Sequence, residues 1–159
     1  HPGRTRAFAF EKLATFDSTV WDAMKAAAAP RVPAVSFFGS DRDAGAIRMA
    51  KQNAERAGVS AFTQFVAQSV SDLVPPEGPA GLVIVNPPYG TRIGDKKPLF
   101  ALYGALGQVL KQRFSGWRVG LVTTDAKLAR ATQMPFLAPE PHVLHGGLKV
   151  TLYRTAALG

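Results

Sequence analysis

The sequence predicts an α/β fold with a mostly parallel sheet that is closed by a C-terminal antiparallel hairpin. Short apolar runs of strand length alternate with longer segments whose apolar residues recur at helical spacing. Such alternation is typical of strands joined by crossover helices, which makes neighbouring strands parallel. Two polar residues, Asp41 and Asn86, stand at the ends of apolar runs. Because ligands of parallel sheets bind beyond the carboxyl ends of the strands, the sequence predicts a site there.

The predicted elements follow one another without a repeat or a linker, and residues 1–159 are expected to form one domain. In chain order they are helix 18–29, strand 34–39, helix 44–57, strand 62–67, strand 82–85, helix 98–114, strand 117–123, helix 125–131 and strands 142–145 and 148–154. The strands at 34–39 and 82–85 are strongly apolar and are predicted to be buried.

Capping residues mark the first two helices. Asp17 or Ser18 can begin the first helix and Asp43 the second, because short polar side chains accept the unpaired N–H groups of a first turn. Gly58 is expected to end the second helix, since glycine readily adopts a left-handed conformation.

Proline and glycine punctuate the C-terminal half. Pro98 suits the first turn of a helix. Gly104 and Gly107 lie inside that helix, where each costs about 1 kcal/mol relative to alanine, so that packing must compensate. Gly146 and Gly147 form a two-residue turn between the last two strands.

The composition excludes several functional classes. The chain is 47% hydrophobic and 19% charged, which suits an ordinary packed core. It has no cysteine, so disulfides, thiolate metal ligands and a cysteine nucleophile are excluded. Three histidines stand outside any cluster at ligand spacing, and no apolar run reaches the roughly 18 residues of a membrane span. We expect a cytoplasmic protein without a metal or a membrane segment.

The net charge of +8 is distributed unevenly. Residues 1–34 hold five basic and three acidic groups, residues 35–86 hold four and five, and residues 87–159 hold ten and three. Basic side chains clustered on one face bind polyanions through counterion release, whereas evenly spread charges mainly maintain solubility. Both interpretations of the charge remain open at this point.

Asp41 is a candidate ligand for ribose. A carboxylate at a strand end can accept hydrogen bonds from both ribose hydroxyls, which is how many such sheets hold nucleoside cofactors. Alternatively, Asp41 and Asp43 only cap the following helix. One carboxylate is enough for capping, which leaves Asp41 to be explained.

Asn86-Pro87-Pro88-Tyr89 is the most specific motif. Consecutive prolines donate no backbone hydrogen bonds and have a fixed φ, so the turn after Val85 is rigid. It exposes two acceptors, the Asn86 amide oxygen and the Pro87 carbonyl, and Tyr89 offers a flat face on which a base can stack. The alternative is an ordinary proline-rich loop.

These residue types suit methylation of an exocyclic amino group. Such an amine is a poor nucleophile, because its lone pair is delocalised into the ring. Two acceptors bound to its N–H groups can draw it towards a pyramidal state and aim the lone pair at a methyl group. The base must first be unpaired or flipped out. Since the amine loses its proton after transfer, catalysis rests on positioning and not on a strong base.

Several segments resemble the THUMP-associated class I RNA methyltransferases, and most closely the bacterial large-subunit ribosomal RNA guanine-N2 methyltransferases. They are residues 8–12, 38–43, 53–58, 85–94, 102–110, 116–118, 145–148 and 152–153. The resemblance implies a Rossmann-like class I methyltransferase fold, S-adenosylmethionine as the cofactor and RNA as the substrate.

The resemblance also implies residue roles at the cofactor. Asp41 stands at the cofactor's ribose and Arg42 is a further cofactor-binding residue. Residues 86–89 surround the target amine, with Asn86 also bordering the cofactor. Ser69 replaces an acidic residue that usually faces the adenine, and its hydroxyl makes a weaker hydrogen bond than a carboxylate. Arg92, Lys96 and Lys97 lie at substrate-side positions, where they contact phosphates or remain solvated.

The sequence departs from the family at its start. The glycine-rich loop that wraps the methionine part of the cofactor has no counterpart, and neither does a THUMP module. We therefore expect a partial domain that begins after the first strand and the cofactor loop. Two other functions stay open: adenine-N6 methylation of DNA or RNA, and a non-catalytic RNA-binding fragment.

Overall fold

The computed structural model describes residues 7–27, 32–88, 97–138, 142–145 and 147–159. The chain divides into two compact units, an N-terminal unit of His1–Gln68 and a C-terminal unit of Ser69–Gly159. In the N-terminal unit the described helices and strands are α1 (Ser18–Ala27), β1 (Phe37–Asp41), α2 (Ala44–Ala57) and β2 (Thr63–Ala67). In the C-terminal unit they are β3 (Leu82–Val85), α3 (Lys97–Arg113), β4 (Arg118–Thr123), α4 (Ala126–Ala131), β5 (Val143–His145) and β6 (Leu148–Arg154).

Strands β1 and β2 of the N-terminal unit pair in parallel, with Gly39 opposite Phe65. A Cβ atom at Gly39 would lie only 2.7 Å from the Phe65 Cδ1 atom, so any larger residue here would force the Phe65 ring to move. Helix α2 packs against both strands and buries Ile47 and Ala54. The parallel pairing confirms the predicted strand–helix–strand arrangement.

The predicted helix caps of the N-terminal unit are confirmed. Asp17 Oδ1 accepts the Thr19 N–H at 2.8 Å and so begins α1. Asp43 Oδ1 accepts the Gly45 N–H at 2.6 Å and begins α2. Gly58 ends α2 in the left-handed region, with φ 68°.

The strands of the C-terminal unit form one four-stranded sheet in the order β3-β4-β6-β5. Strands β3 and β4 are parallel, whereas β6 is antiparallel to both β4 and β5, which confirms the predicted closing hairpin. The core lies between this sheet and α3. Its most deeply buried apolar side chains are Tyr103, Leu106, Leu110, Val119, Leu121, Leu128 and Ala129.

The prediction that strands 34–39 and 82–85 are buried is wrong. Phe37 and Phe38 are 55% and 50% exposed, and Leu82 and Ile84 are 53% and 61% exposed. Only the two valines of β3 pack against the core of the C-terminal unit. An apolar run is compatible with burial on both faces, but its periodicity does not show whether the second face is covered.

One boundary differs from the predicted one. Strand β1 begins at Phe37, three residues after its predicted start, and continues through Ser40 to Asp41. These residues are the ones that pair with Thr63–Ala67 of β2, so the extent of the strand follows its pairing and not its local polarity. In α3 the described residues begin at Lys97, directly before Pro98.

Candidate active site

Each unit places a polar feature at the carboxyl end of a parallel strand. In the N-terminal unit Asp41 is the last residue of β1, and in the C-terminal unit Asn86 directly follows β3. We refer to residues 86–88 as the acceptor turn.

Asp41 is exposed and has a structural role besides its predicted one. Its Oδ1 atom accepts the Asp43 N–H at 2.9 Å, and its backbone carbonyl accepts the Gln68 N–H at 3.0 Å. Asp41 therefore stabilises the turn that leads into α2, while Asp43 caps that helix. An ionised carboxylate has about four acceptor positions, so the Oδ2 side of Asp41 retains acceptor capacity for a ligand.

The acceptor turn is anchored in the middle and exposed on both sides. Asn86 and Pro88 are exposed, whereas Pro87 is buried, so of the two residues predicted to expose an acceptor only Asn86 is exposed as a whole. Since Val85 also packs against the core, the turn is held from the strand side as well. An amide side chain is thus presented to solvent on a stiff support.

A buried hydroxyl pair lies behind the acceptor turn. The Tyr103 Oη atom is 3.4 Å from the Pro88 carbonyl oxygen and 3.3 Å from Thr123 Oγ1. Tyr103 and Thr123 are both 0% exposed. The Thr123 Oγ1 atom also accepts the Asp125 N–H at 3.2 Å. The sequence interpretation did not single out Tyr103; the available signal was its hydroxyl, which requires a partner when it is buried.

Ser69 is exposed and donates its hydroxyl hydrogen to Asp72 Oδ2 at 2.8 Å. The Arg113 guanidinium donates to the carbonyls of Ser71 and Leu73 at 3.0 and 2.9 Å, which ties this segment to α3. The sequence interpretation missed Asp72. A serine followed three residues later by an acidic residue, at the start of a helical turn, was the signal that could have found it.

Of the other predicted site residues, the structure describes two, Arg42 and Lys97. Arg42 is exposed immediately after β1. Lys97 is exposed as the first residue of α3. Tyr89, Arg92 and Lys96 lie outside the described residues.

A basic surface covers the described residues from 97 onwards. All of their lysine and arginine side chains are exposed: Lys97, Lys111, Arg113, Arg118, Lys127, Arg130, Lys149 and Arg154. Within residues 97–138, 142–145 and 147–159 the one acidic residue is Asp125, whose Oδ1 accepts the Lys127 N–H as the cap of α4. The basic excess of the sequence therefore lies on exposed side chains, as both polyanion binding and an evenly spread solubilising charge require.

The described side chains include no group of three or more histidine, cysteine, aspartate or glutamate residues placed to hold a metal ion. None of the helices within the described ranges combines the length and the apolar character that crossing a bilayer requires.

Parallel strands joined by helices, polar groups at two strand ends and a closing antiparallel hairpin together define a Rossmann-like class I methyltransferase fold. Sequence comparison identifies the family within that class. The chain belongs to the UPF0020 family, RMKL-like, methyltransferase domain, which matches residues 1–151. The family resemblance predicted from the sequence is confirmed at this level.

Solved structures share the fold. A possible methylase from Clostridium difficile 630 is 28% identical, with a TM-score of 0.78 over 97% of this chain and 41% of its own. SMU.472, assigned as a methyltransferase and complexed with SAH, is 24% identical, with a TM-score of 0.80 over the same shares. A predicted N6-adenine-specific DNA methylase from Listeria monocytogenes is 30% identical, with a TM-score of 0.63 over 76% of this chain and 30% of its own. This chain thus spans less than half the length of each.

Proposed function

We propose that the full-length protein containing this chain uses S-adenosylmethionine to methylate an exocyclic amino group of a base in RNA, most specifically guanine N2 of ribosomal RNA. The acceptor turn carries this proposal, because it presents exposed Asn86 beside buried Pro87 directly after a parallel strand. Family membership supports methyl transfer. The basic surface supports a polyanionic substrate.

In the proposed reaction the chain's own residues orient the amine. The Asn86 amide oxygen and the Pro87 carbonyl accept its two N–H groups, and the stiffness of the turn keeps the nitrogen lone pair directed. S-adenosylmethionine, when bound, supplies the methyl group on a positively charged sulfur. Once methylated, the amine nitrogen would release a proton to water, so neither Asn86 nor Pro87 would have to act as a base. Positioning of this kind can account for several orders of magnitude in rate.

Asp41 and Ser69 each have the hydrogen-bonding chemistry to hold a part of the cofactor's nucleoside. Asp41 is exposed at a strand end and keeps acceptor capacity on Oδ2 for ribose hydroxyls. The Ser69 hydroxyl donates its proton to Asp72, so its oxygen lone pairs remain able to accept an N–H from an adenine amine. Arg42 follows Asp41 in the chain and can contact the same nucleoside.

We expect Asp41→Asn to weaken binding of S-adenosylhomocysteine by about tenfold, since a neutral amide accepts ribose hydroxyls less strongly than a carboxylate. The asparagine oxygen can still accept the Asp43 N–H, so the turn before α2 is preserved. Asp43→Asn is the matched control, because asparagine caps helices as well as aspartate does. Calorimetry on the full-length protein measures both variants, and equal affinities for Asp41→Asn and wild type would argue against the ribose role.

A second candidate is methylation of adenine N6 in DNA or RNA. The structure from Listeria monocytogenes, which is 30% identical, is that of a predicted N6-adenine-specific DNA methylase. The acceptor turn can hold the amino group of either base in the same way.

Product analysis tests the proposal. The full-length protein and methyl-labelled S-adenosylmethionine are incubated with unmodified ribosomal RNA or genomic DNA, and the digested nucleosides are separated. We expect label in N2-methylguanosine from RNA. Label in N6-methyladenosine would support the second candidate. RNA binding without transfer would support a non-catalytic role, and label on a ribose oxygen or a ring carbon would overturn both methylation proposals.

We expect charge reversal of Arg92, Lys96 and Lys97 to weaken RNA binding and to reduce the slope of log affinity against log salt. Each lost phosphate contact lowers that slope by roughly 0.7 to 0.9. A matched control reverses Arg56, Lys12 and Lys25, which are exposed in the N-terminal unit, and changes the net charge equally. Filter binding across a salt series compares the two triple variants. Identical slopes for both would show that Arg92, Lys96 and Lys97 are solvated charges that do not contact RNA.

A further inference from the structure

One torsion of the acceptor turn is not restrained by its own sequence. The proline rings fix φ at Pro87 and Pro88. Asn86 and Pro87 each precede a proline, which confines their ψ angles to extended values. Pro88 precedes Tyr89, so its ψ is the soft torsion of the turn. That angle sets the direction of the Pro88 carbonyl and of the peptide that leads to Tyr89.

The Pro88 carbonyl is the group that the buried Tyr103 hydroxyl contacts, at 3.4 Å. A carbonyl oxygen can only accept, so Tyr103 donates its proton to Pro88. If the 3.3 Å contact between Tyr103 and Thr123 is then also a hydrogen bond, Thr123 must donate it. Thr123 Oγ1 accepts in turn from the Asp125 N–H at 3.2 Å. With one proton in each contact, the hydrogen bonds all run in one direction. The Asp125 N–H donates to Thr123, Thr123 donates to Tyr103, and Tyr103 donates to the Pro88 carbonyl.

Both hydroxyls are fully buried, which makes this chain stronger than its distances suggest. Hydrogen bonds in a low-dielectric interior polarise one another, and an unmade one is costly. Distances of 3.3 to 3.4 Å are long for O–H···O bonds. Hydrogen bonds at active sites are often long before substrate binds and tighten afterwards.

We propose that Tyr103 is a positioning residue: its hydrogen bond to the Pro88 carbonyl pins the end of the acceptor turn to the core and so keeps Asn86 and Pro87 in place, with Thr123 fixing the direction of its hydroxyl. This role rests on the proposed function of the turn. Tyr103 does not touch the substrate; it acts through the Pro88 carbonyl. Because Thr123 is the last residue of β4, the orientation of the turn after β3 depends on the neighbouring parallel strand.

The test compares Tyr103→Phe and Thr123→Val in the full-length protein with Tyr153→Phe as the matched control. Phenylalanine lacks only the hydroxyl of tyrosine, and valine carries a methyl group in place of the threonine hydroxyl, so both variants keep the approximate shape of the buried side chain. Tyr153 lies on β6 in the same unit and packs against Phe136. We expect kcat for methyl transfer to fall by about 10- to 100-fold in Tyr103→Phe and by less in Thr123→Val, with KM for RNA and cofactor within about twofold. Tyr153→Phe should keep the wild-type kcat.

Hydrogen–deuterium exchange of the peptide 82–88 gives a second readout that needs no activity. Its exchangeable amides end at Asn86, since prolines have none. We expect exchange there to speed up by about tenfold in Tyr103→Phe and to remain unchanged in Tyr153→Phe. If wild type transfers no methyl to an amine, the proposed function fails and this exchange alone decides the role of Tyr103. If wild type is active and Tyr103→Phe keeps both its kcat and its exchange rate, the positioning role is overturned.

Discussion

Replacement of Asn86 by alanine is expected to lower the rate of methyl transfer by roughly 100- to 1,000-fold, the range observed when one preorganised polar group is removed from an active site. The side chain is exposed and contributes little to packing, so the free energy of unfolding should change by less than about 0.5 kcal/mol. Steady-state kinetics of the full-length protein should show the loss in kcat, while the affinity for S-adenosylhomocysteine stays within about tenfold.

Asn53→Ala is the matched control for Asn86→Ala. Asn53 is exposed on α2, where it contacts Arg56, and it lies far along the chain from the acceptor turn. The same chemical change there should leave kcat at the wild-type value. Wild-type kcat in Asn86→Ala itself would show that the amide oxygen does not orient the amine.

Gly107→Ala is expected to destabilise the C-terminal unit by roughly 2 to 4 kcal/mol. A Cβ atom at this position would lie 1.9 Å from the carbonyl oxygen of Thr132 and 2.6 Å from its carbonyl carbon. Both atoms belong to the backbone after α4, so the added methyl group cannot be accommodated by a side-chain rotation. Helix α3 or the segment after α4 must move.

Gly104→Ala is the control within the same helix. Its Cβ atom would meet only the Ala131 carbonyl oxygen at 3.9 Å, an ordinary contact. Because alanine favours the helical conformation more than glycine does, the free energy of unfolding of this variant should rise by up to about 1 kcal/mol. Hydrogen exchange of the α3 amides across a urea series measures both free energies. Equal stabilities of the two variants would show that α3 and α4 do not approach each other so closely.

The sequence predicted the local features well. Asp43, Gly58 and the β3 strand were found because capping, left-handed glycine and a short β-rich run are properties of neighbouring residues. For Gly107 the sequence predicted that tertiary packing must compensate for a glycine inside a helix, but not which residues it packs against. Exposure of Phe37 and Leu82 was not predictable, since apolar character does not reveal which faces of a strand are covered.

The candidate site was predictable to the same extent. Asn86 and its prolines form a contiguous motif with a chemical meaning of its own. Tyr103 contacts Pro88, 15 residues before it in the chain, and Thr123, 20 residues after it. Only folding brings these three residues together. The Asp41 carboxylate was recognised as a ligand candidate, but its bond to the Asp43 N–H depends on a turn geometry that the sequence did not specify.

The most direct test of the central claim is a structure of the full-length protein with S-adenosylhomocysteine and a short RNA that carries the target base. The proposed mechanism predicts that the exocyclic nitrogen of that base lies within about 3.2 Å of both the Asn86 Oδ1 atom and the Pro87 carbonyl oxygen. A base whose amino group is held by other residues, with Asn86 directed away from it, would contradict the mechanism.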